Sequence, residues 1–434
     1  MNKATGKISD FCARHGLYTG PDRLEVDTDR FIEEMVSGME GVSSIKMLPA
    51  YIDPSVKPDF SKKVIVVDAG GTNLRIALVS FPDGTNPDME YFENYPMLGT
   101  NGEITAAEFF DGLADCLAPI IYKADKIGLC FSFPAQILPN RDARILHFTK
   151  EVKVSGAEGL LVGEGLLDAL KAKGLPHNKT VTVINDTVAA LLGGVAGTGG
   201  RVFDGYIGVI LGTGTNTAYV EQNRSIKKDA ALARLDGKTV INLESGGYSK
   251  AARGDIDIAF DDKTDFPDEQ MFEKMISGAY TGGLFLAFLK AAAAEDCFSA
   301  VAKSGIGELL TLSGKDIDQF CDYPYGQNVL SAIVDGDEDR EALYALADAF
   351  FERVAILITT NLAALLKKTD AGQKPYKPVC ISAEGTAFYK AKLFRPKLDY
   401  YMETFVKQKL GCHYEFVKIE NSTILGTAAA GLLG

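Results

Sequence analysis

Residues 64–81 read VIVVDAGGTNLRIALVSF: a β-branched run, a glycine turn and a second apolar run. Residues 206–221, YIGVILGTGTNTAYVE, repeat that form, and Gly71-Thr72-Asn73 recurs as Gly214-Thr215-Asn216. One glycine hairpin is common. Two with the same tripeptide, each opening a region of alternating strands and helices, predict an internal duplication. In the first turn, Gly70 and Gly71 make positive φ inexpensive. A hairpin tip with little side-chain bulk can bring backbone N–H groups up to phosphate oxygens. Asp68, where the first strand ends, is placed to organise a hydrated Mg²⁺ on such phosphates. Either stretch alone is also compatible with an ordinary hairpin.

The chain has 434 residues, which suggests two or three domains. Its net charge of −13 argues against a nucleic-acid or anionic-membrane surface. Any polyphosphate must then be held by backbone amides, Mg²⁺ or a few basic side chains. Seven cysteines are scattered with no C-x-x-C pair, which excludes a zinc framework and points to reduced thiols in the cytoplasm. No signal peptide and no membrane span are expected, since long uninterrupted apolar runs are absent.

Helical spacing predicts helices over residues 27–39, 105–121, 159–173, 270–289 and 342–368, the last one buried. Thr105 and Glu108 form a capping-box pattern. Residues 46–59 read as an extended connector with three prolines, and 255–269 as an acidic loop. Strands are predicted over 126–133, 180–184, 240–244, 377–383 and 415–419. A short apolar helix starts at Val188 and dissolves into the glycine-rich 193–200, the best candidate for a hinge or domain boundary. Residues 421–434 read as a short terminal helix.

Gly237-Lys238-Thr239 mimics the end of a P-loop, but Leu232 occupies the leading glycine position, and no G-x-G-x-x-G opens a helix after a strand. The pieces VVDAGGTNLRIALV, CFSFPAQ, Thr149-Lys150, INDTVAALL, GVILGTGTNTAYVE, INLESGGYS, FEKMISGAY and SAEGT follow one another in this order. In that order the chain resembles the hexokinases of the glucokinase and yeast-hexokinase type, over roughly residues 25–430. The resemblance implies the two-domain actin-like ATPase (ribonuclease H-like) fold. In that α/β fold each domain has a mixed five-stranded sheet flanked by helices, and ATP and sugar meet in the cleft between. The division it implies is a small domain of 64–203 completed by 423–434, and a large domain of 1–63 and 204–422.

Asp186 matches the family base, which accepts the proton of the sugar 6-hydroxyl. It lies between an apolar strand and a helix start, where the helix N-terminus favours the ionised carboxylate. By itself it would read as an N-cap. Lys150 matches the family lysine beside the reacting groups, a point charge for the transferring phosphoryl group. Ser132, Thr149, Lys150, Asn185, Asp186, Asn216, Glu244 and Glu273 match positions at the sugar. Amides and carboxylates there can select one epimer where apolar walls cannot. Glu273 is also readable as an exposed helical charge. Asp68, Gly70, Gly71, Thr72, Asn73 and Arg75 resemble the first phosphate loop, Thr213 and Gly214 the second. Gly385 and Thr386 resemble the turn near the adenosine, with Asp68 the Mg²⁺ carboxylate acting through water.

Ser245 stands where the family has tryptophan, Gly283 where many relatives have glutamate, and Lys250 where they have aspartate. Glu151 replaces a usual glycine, and Ile424-Leu425 interrupts a small-residue run. These departures bear on substrate range, regulation and oligomer contacts more than on the base or the first phosphate loop. The resemblance implies an ATP- and Mg²⁺-dependent hexokinase acting on glucose, with mannose, fructose and glucosamine as further acceptors, in a monomer or homodimer. Three rivals are a kinase for another sugar such as an N-acetylhexosamine, a non-catalytic sugar sensor, and an actin-like ATPase acting on protein partners. The last would not need Asn216, Glu244 and Glu273.

Overall fold

The computed structural model describes residues 3–17, 20–56, 58–149 and 152–433. Its first sheet is built from β1 (Val64–Ala69), β2 (Asn73–Ser80), β3 (Asp88–Pro96), β4 (Lys126–Phe131) and β5 (Thr180–Ile184), in the order β5-β4-β1-β2-β3. The three strands β5, β4 and β1 run parallel, and β1-β2-β3 is an antiparallel meander. Every residue of β1 is buried, as a strand covered on both faces requires. On one face lie helices Ala106–Leu117 and Val162–Ala172, with Phe109, Leu113, Leu166 and Leu170 in the core. The outer strand β3, DMEYFENYP, is mostly exposed and carries charges that blunt the open edge.

The second sheet is built from β6 (Gly205–Leu211), β7 (Thr215–Gln222), β8 (Lys238–Asn242), β9 (Val379–Glu384) and β10 (Tyr414–Val417). Its central β6 pairs antiparallel with β7 and parallel with β9, β7 pairs antiparallel with β8, and β9 parallel with β10. That is the pairing scheme of the first sheet, so the duplication seen in two hairpins extends to both sheets entire. The strand count differs in one respect: this sheet has six strands, because Leu48–Pro49 of the connector adds an antiparallel edge to β8.

The helices used below are, in chain order, α1 (Lys3–Arg14), α2 (Leu24–Glu40), α3 (Ala106–Leu117), α4 (Val162–Ala172), α5 (Asp186–Ala196), α6 (Asp255–Asp261), α7 (Met271–Ile276), α8 (Gly278–Ala294), α9 (Gly336–Thr369) and α10 (Ser422–Leu433). Helix α5 lies on the second sheet and α10 on the first, and the two helices pack against each other between the sheets. Within residues 193–200, expected as a hinge or domain boundary, Gly193 and Gly197 make close contacts. Gly193 and Gly194 stay inside α5, which ends at Ala196. A Cβ on Gly193 would lie 2.5 Å from the Ser422 carbonyl oxygen, and one on Gly426 would lie 1.8 Å from that of Ala189. The glycines are there because two backbones meet.

The large lobe centres on α9, whose apolar window is 89% buried inside the fold. It is long and apolar enough to cross a membrane, but its surroundings make it a core helix. Thr105 and Glu108 form the expected capping box, with Thr105 N donating to Glu108 Oε2 at 2.7 Å. Two expectations fail locally. The acidic stretch from Asp255 begins as a helix, α6, because Asp257 accepts the Gly254 N–H at 2.9 Å. The helical run after Gln270 breaks at Ser277, whose backbone is extended, into α7 and α8. All seven cysteines are free thiols.

Candidate active site

Strands β1, β4 and β5 end side by side, with Asp68, Cys130 and Ile184 at one level of the parallel register. Crevices outside the carboxyl ends of parallel strands are where α/β sheets place ligands. Asp68 therefore shares an edge with Ser132, just past β4, and with Asn185 and Asp186, just past β5. Asn185 is the N-cap of α5: its side-chain oxygen accepts the Thr187 N–H at 2.8 Å. That relieves Asp186 of the capping role which its position suggested. Asp186 is half-buried in the first turn of α5 and accepts the Thr187 hydroxyl at 3.3 Å. Ser132 donates its backbone N–H to the Ala69 carbonyl at 3.1 Å. Phe148 packs on Phe131 and Phe133, which brings the half-buried Thr149 to the end of β4. Lys150 lies outside the described residues.

The opposite wall comes from the second sheet. Asn216 on β7 donates to Asn242 Oδ1 on β8 at 2.6 Å, and Asn242 donates to Glu244 Oε1 at 2.7 Å. Burial pushes the Glu244 carboxyl up; the Asn242 hydrogen bond and Lys46 oppose this, and the charge of Asp186 adds to it. Glu244 follows β8 of the second sheet, and Asp186 follows β5 of the first. Glu273 on α7 is half-buried, and its Oε2 accepts the Thr215 N–H at 2.8 Å. It is not the exposed helical charge its Glu-Lys context allowed.

At the first hairpin Gly70 N donates to the Asn73 carbonyl at 3.0 Å, and Thr72 and Asn73 are exposed at the tip. Gly71 completes that turn. One residue pair below it, Arg75 Nη2 lies 2.8 Å from Asp68, which is 2% exposed. Arg75 and Asp68, expected separately at the nucleotide and at Mg²⁺, are here partners in one ion pair. At the second hairpin Gly212 N donates to the Gly214 carbonyl at 3.0 Å and Thr213 is exposed. A Cβ on Gly214 would lie 2.6 Å from Glu273 Oε2, so the missing side chain lets that carboxylate close on the turn. Gly385 has φ 113° and presses on the same hairpin, where a Cβ would lie 2.1 Å from the Leu211 carbonyl oxygen. The third glycine turn, with Thr386 starting a short helix, therefore joins the second.

Asn242 and Lys46 were not anticipated. The signal for Asn242 was present: an amide side chain ending an otherwise apolar strand, where asparagine is disfavoured without a hydrogen-bonding task. Lys274, beside Glu273, is 5% exposed and bonds to the buried Asp261 and to the Phe266 carbonyl at 2.6 Å. It anchors α7 from behind.

Two hexokinase family models match consecutive parts of the chain, residues 10–195 and residues 206–433. Hexokinase-2 of Homo sapiens is 28% identical, over 93% of this chain and 46% of that protein. Hexokinase-1 of Spinacia oleracea is 32% identical, over 60% of this chain and 54% of that protein. The chain spans about half the length of these first curated relatives. In structure it matches a Schistosoma mansoni hexokinase solved with glucose, with a TM-score of 0.78 at 22% identity over 99% of this chain and 100% of that one. The fold is thus the two-lobed actin-like fold of the sugar kinases. With both halves matched in order by models of one family, the chain belongs to the hexokinase family.

Proposed function

We propose that this protein is a hexokinase that transfers the γ-phosphoryl group of ATP to the 6-hydroxyl of glucose. Mannose, fructose and glucosamine are its further acceptors. The observation that carries this reading is the position of Asp186. It stands at a helix start whose cap is supplied by Asn185, just past β5, at the strand ends that also carry Asp68 and Ser132.

In this reading Asn185, Asn216, Glu244 and Glu273, with Ser132 and Thr149, orient the sugar. Asp186 accepts the O6 proton late, as the bond from O6 to phosphorus forms and the bond from phosphorus to the β-phosphate oxygen breaks; ADP leaves with that electron pair. Thr72, Asn73, Thr213 and the turn at Gly385-Thr386 cradle the nucleotide, and Lys150 supplies positive charge to the transferring group. Among the described residues no three His, Cys, Asp or Glu side chains gather as a metal site. Asp68, buried and paired with Arg75, would act on Mg²⁺ through water, since that ion keeps most of its ligands from phosphate and water. When bound, the ion supplies charge neutralisation on the phosphates. The lobes, 64–203 with 423–434 against the remainder, close over the sugar and exclude water. Seven free thiols suit the cytoplasm.

The test is ADP release with Mg-ATP across a panel of hexoses, for the wild type and Asp186→Asn. Glucose stimulates the wild type strongly, and the substitution lowers kcat by at least ~10²-fold, the usual effect of losing a general base. A wild type that sugars do not stimulate refutes the proposal.

A further inference from the structure

Glu244 is held in an unusual way. Its backbone is left-handed, with φ 57° and ψ 48°, a conformation that disfavours residues bearing a Cβ. Such outliers persist where the surroundings over-determine them, and they gather at functional sites. Here the surroundings are a closed ring of hydrogen bonds. Asn242 Nδ2 donates to Glu244 Oε1 at 2.7 Å, Asn216 Nδ2 donates to Asn242 Oδ1 at 2.6 Å, and Ser245 N donates to Asn216 Oδ1 at 3.2 Å. Thr217 N also donates to Asn216 Oδ1, at 2.7 Å.

The direction of every bond in this ring follows from one fact. An ionised carboxylate only accepts, so the Asn242 NH₂ must face Glu244. The Asn242 oxygen then faces Asn216, whose NH₂ must turn toward it, and the Asn216 oxygen is left for the two backbone N–H groups. Both amides lie on the Oε1 side: Asn216 Nδ2 also sits 3.4 Å from Oε1. Oε2 makes no hydrogen bond to the described residues.

We propose that Asn242 is a positioning residue for sugar recognition: its amide fixes Glu244 by Oε1 so that Oε2 is presented to a sugar hydroxyl, and the same amide orients Asn216. The proposal rests on the hexokinase reading and adds to it a residue that contacts no substrate. Charged groups that act on Glu244 include Asp186 at the start of α5 and Lys46 in the connector.

The experiment uses Asn242→Asp, which keeps the shape of the side chain and removes the N–H donor. KM for glucose and kcat are measured by ADP release from pH 5.5 to 7.5, with melting curves to show that the variant is folded. At pH 7.5 two facing carboxylates repel. KM rises about 10- to 100-fold, the worth of a hydrogen bond to a charged group, while kcat stays within about threefold because Asp186 is untouched. As pH falls, the Asp–Glu pair shares a proton and a donor to Glu244 returns, so the ratio of variant to wild-type KM narrows. Asn242→Ala, which has no acid to protonate, raises KM without that narrowing. It decides the matter by its KM-against-kcat split should Asn242→Asp not fold. A variant KM within about twofold of wild type at pH 7.5, or a raised ratio that is the same at every pH for Asp and Ala alike, overturns the role of Asn242 and leaves the hexokinase reading intact. A wild type without glucose-stimulated ADP release overturns both.

Discussion

Replacing Gly426 by alanine strikes the contact between α5 and α10, the two helices packed between the sheets. A Cβ there would lie 1.8 Å from the Ala189 carbonyl oxygen, 2.7 Å from the Ala189 carbonyl carbon and 2.7 Å from Gly193 N. All three are backbone atoms of α5, so no rotamer change can relieve the clash. Restoring ordinary van der Waals separation moves α10 about 1.5 Å from α5, in an interior packed as densely as an organic crystal. Overpacking commonly costs about 1–3 kcal/mol, and a clash against rigid backbone belongs at the top of that range. For a chain of 434 residues we expect melting to fall by about 3 °C. Since α5 begins at Asp186, glucose-stimulated ADP release falls as well. Gly307→Ala is the control: it is also a helical glycine, exposed, with nothing within 4 Å of a Cβ. It should be neutral or slightly stabilising, since alanine is the better helix former. If Gly426→Ala melts within about 1 °C (about 1 kcal/mol) of Gly307→Ala, the reasoning about the α5–α10 contact is wrong.

Lys274→Met leaves the buried Asp261 without its ammonium partner, with Arg253 at 2.8 Å remaining. We expect a loss of about 3–5 kcal/mol, the cost of breaking a buried pair, and a raised KM for glucose as α7 and Glu273 loosen; unchanged urea midpoints would contradict this. Burial pushes the Asp318 carboxyl up to about 6, against the Lys392 N–H and with help from Asp322. The stability tied to its protonated form is complete below about pH 4 and lost as pH rises through about 6. Asp318→Asn should therefore be more stable than wild type at pH 7, by about 1 kcal/mol after allowing for partial exposure, with the gain vanishing by pH 4. His15 hydrogen-bonds Asp255 at 2.9 Å and Glu295 at 2.5 Å, and these carboxylates raise its pKa against the effect of burial. Its contribution is complete below its ordinary pKa of ~6.5 and lost as pH rises through the raised value. His15→Gln should flatten the dependence of melting temperature on pH across that interval.

Much was legible in order along the chain. The repeated Gly-Thr-Asn hairpins announced two related sheets, because a strand buried on both faces must read as an unbroken apolar run and its turn must shed side chains. The Thr105–Glu108 box marked a helix start, since capping is local chemistry. Asn185-Asp186 after an apolar strand marked the cleft. What the sequence left undecided depends on which distant groups meet. Glycine richness over 193–200 says only that side chains are missing; that Gly193 meets the backbone of Ser422 is visible only in the folded chain. Asn185, not Asp186, turned out to be the cap, a choice made by one hydrogen bond to Thr187. Asn216 on β7 and Asn242 at the end of β8 meet through the pairing of those strands, and Glu244 joins them from two residues past β8. Local pattern therefore determined the elements and the family of chemistry. Tertiary structure decided which carboxylates are held, by what, and on which side of the cleft, because hydrogen-bond partners and burial are properties of neighbours that the chain brings together only on folding.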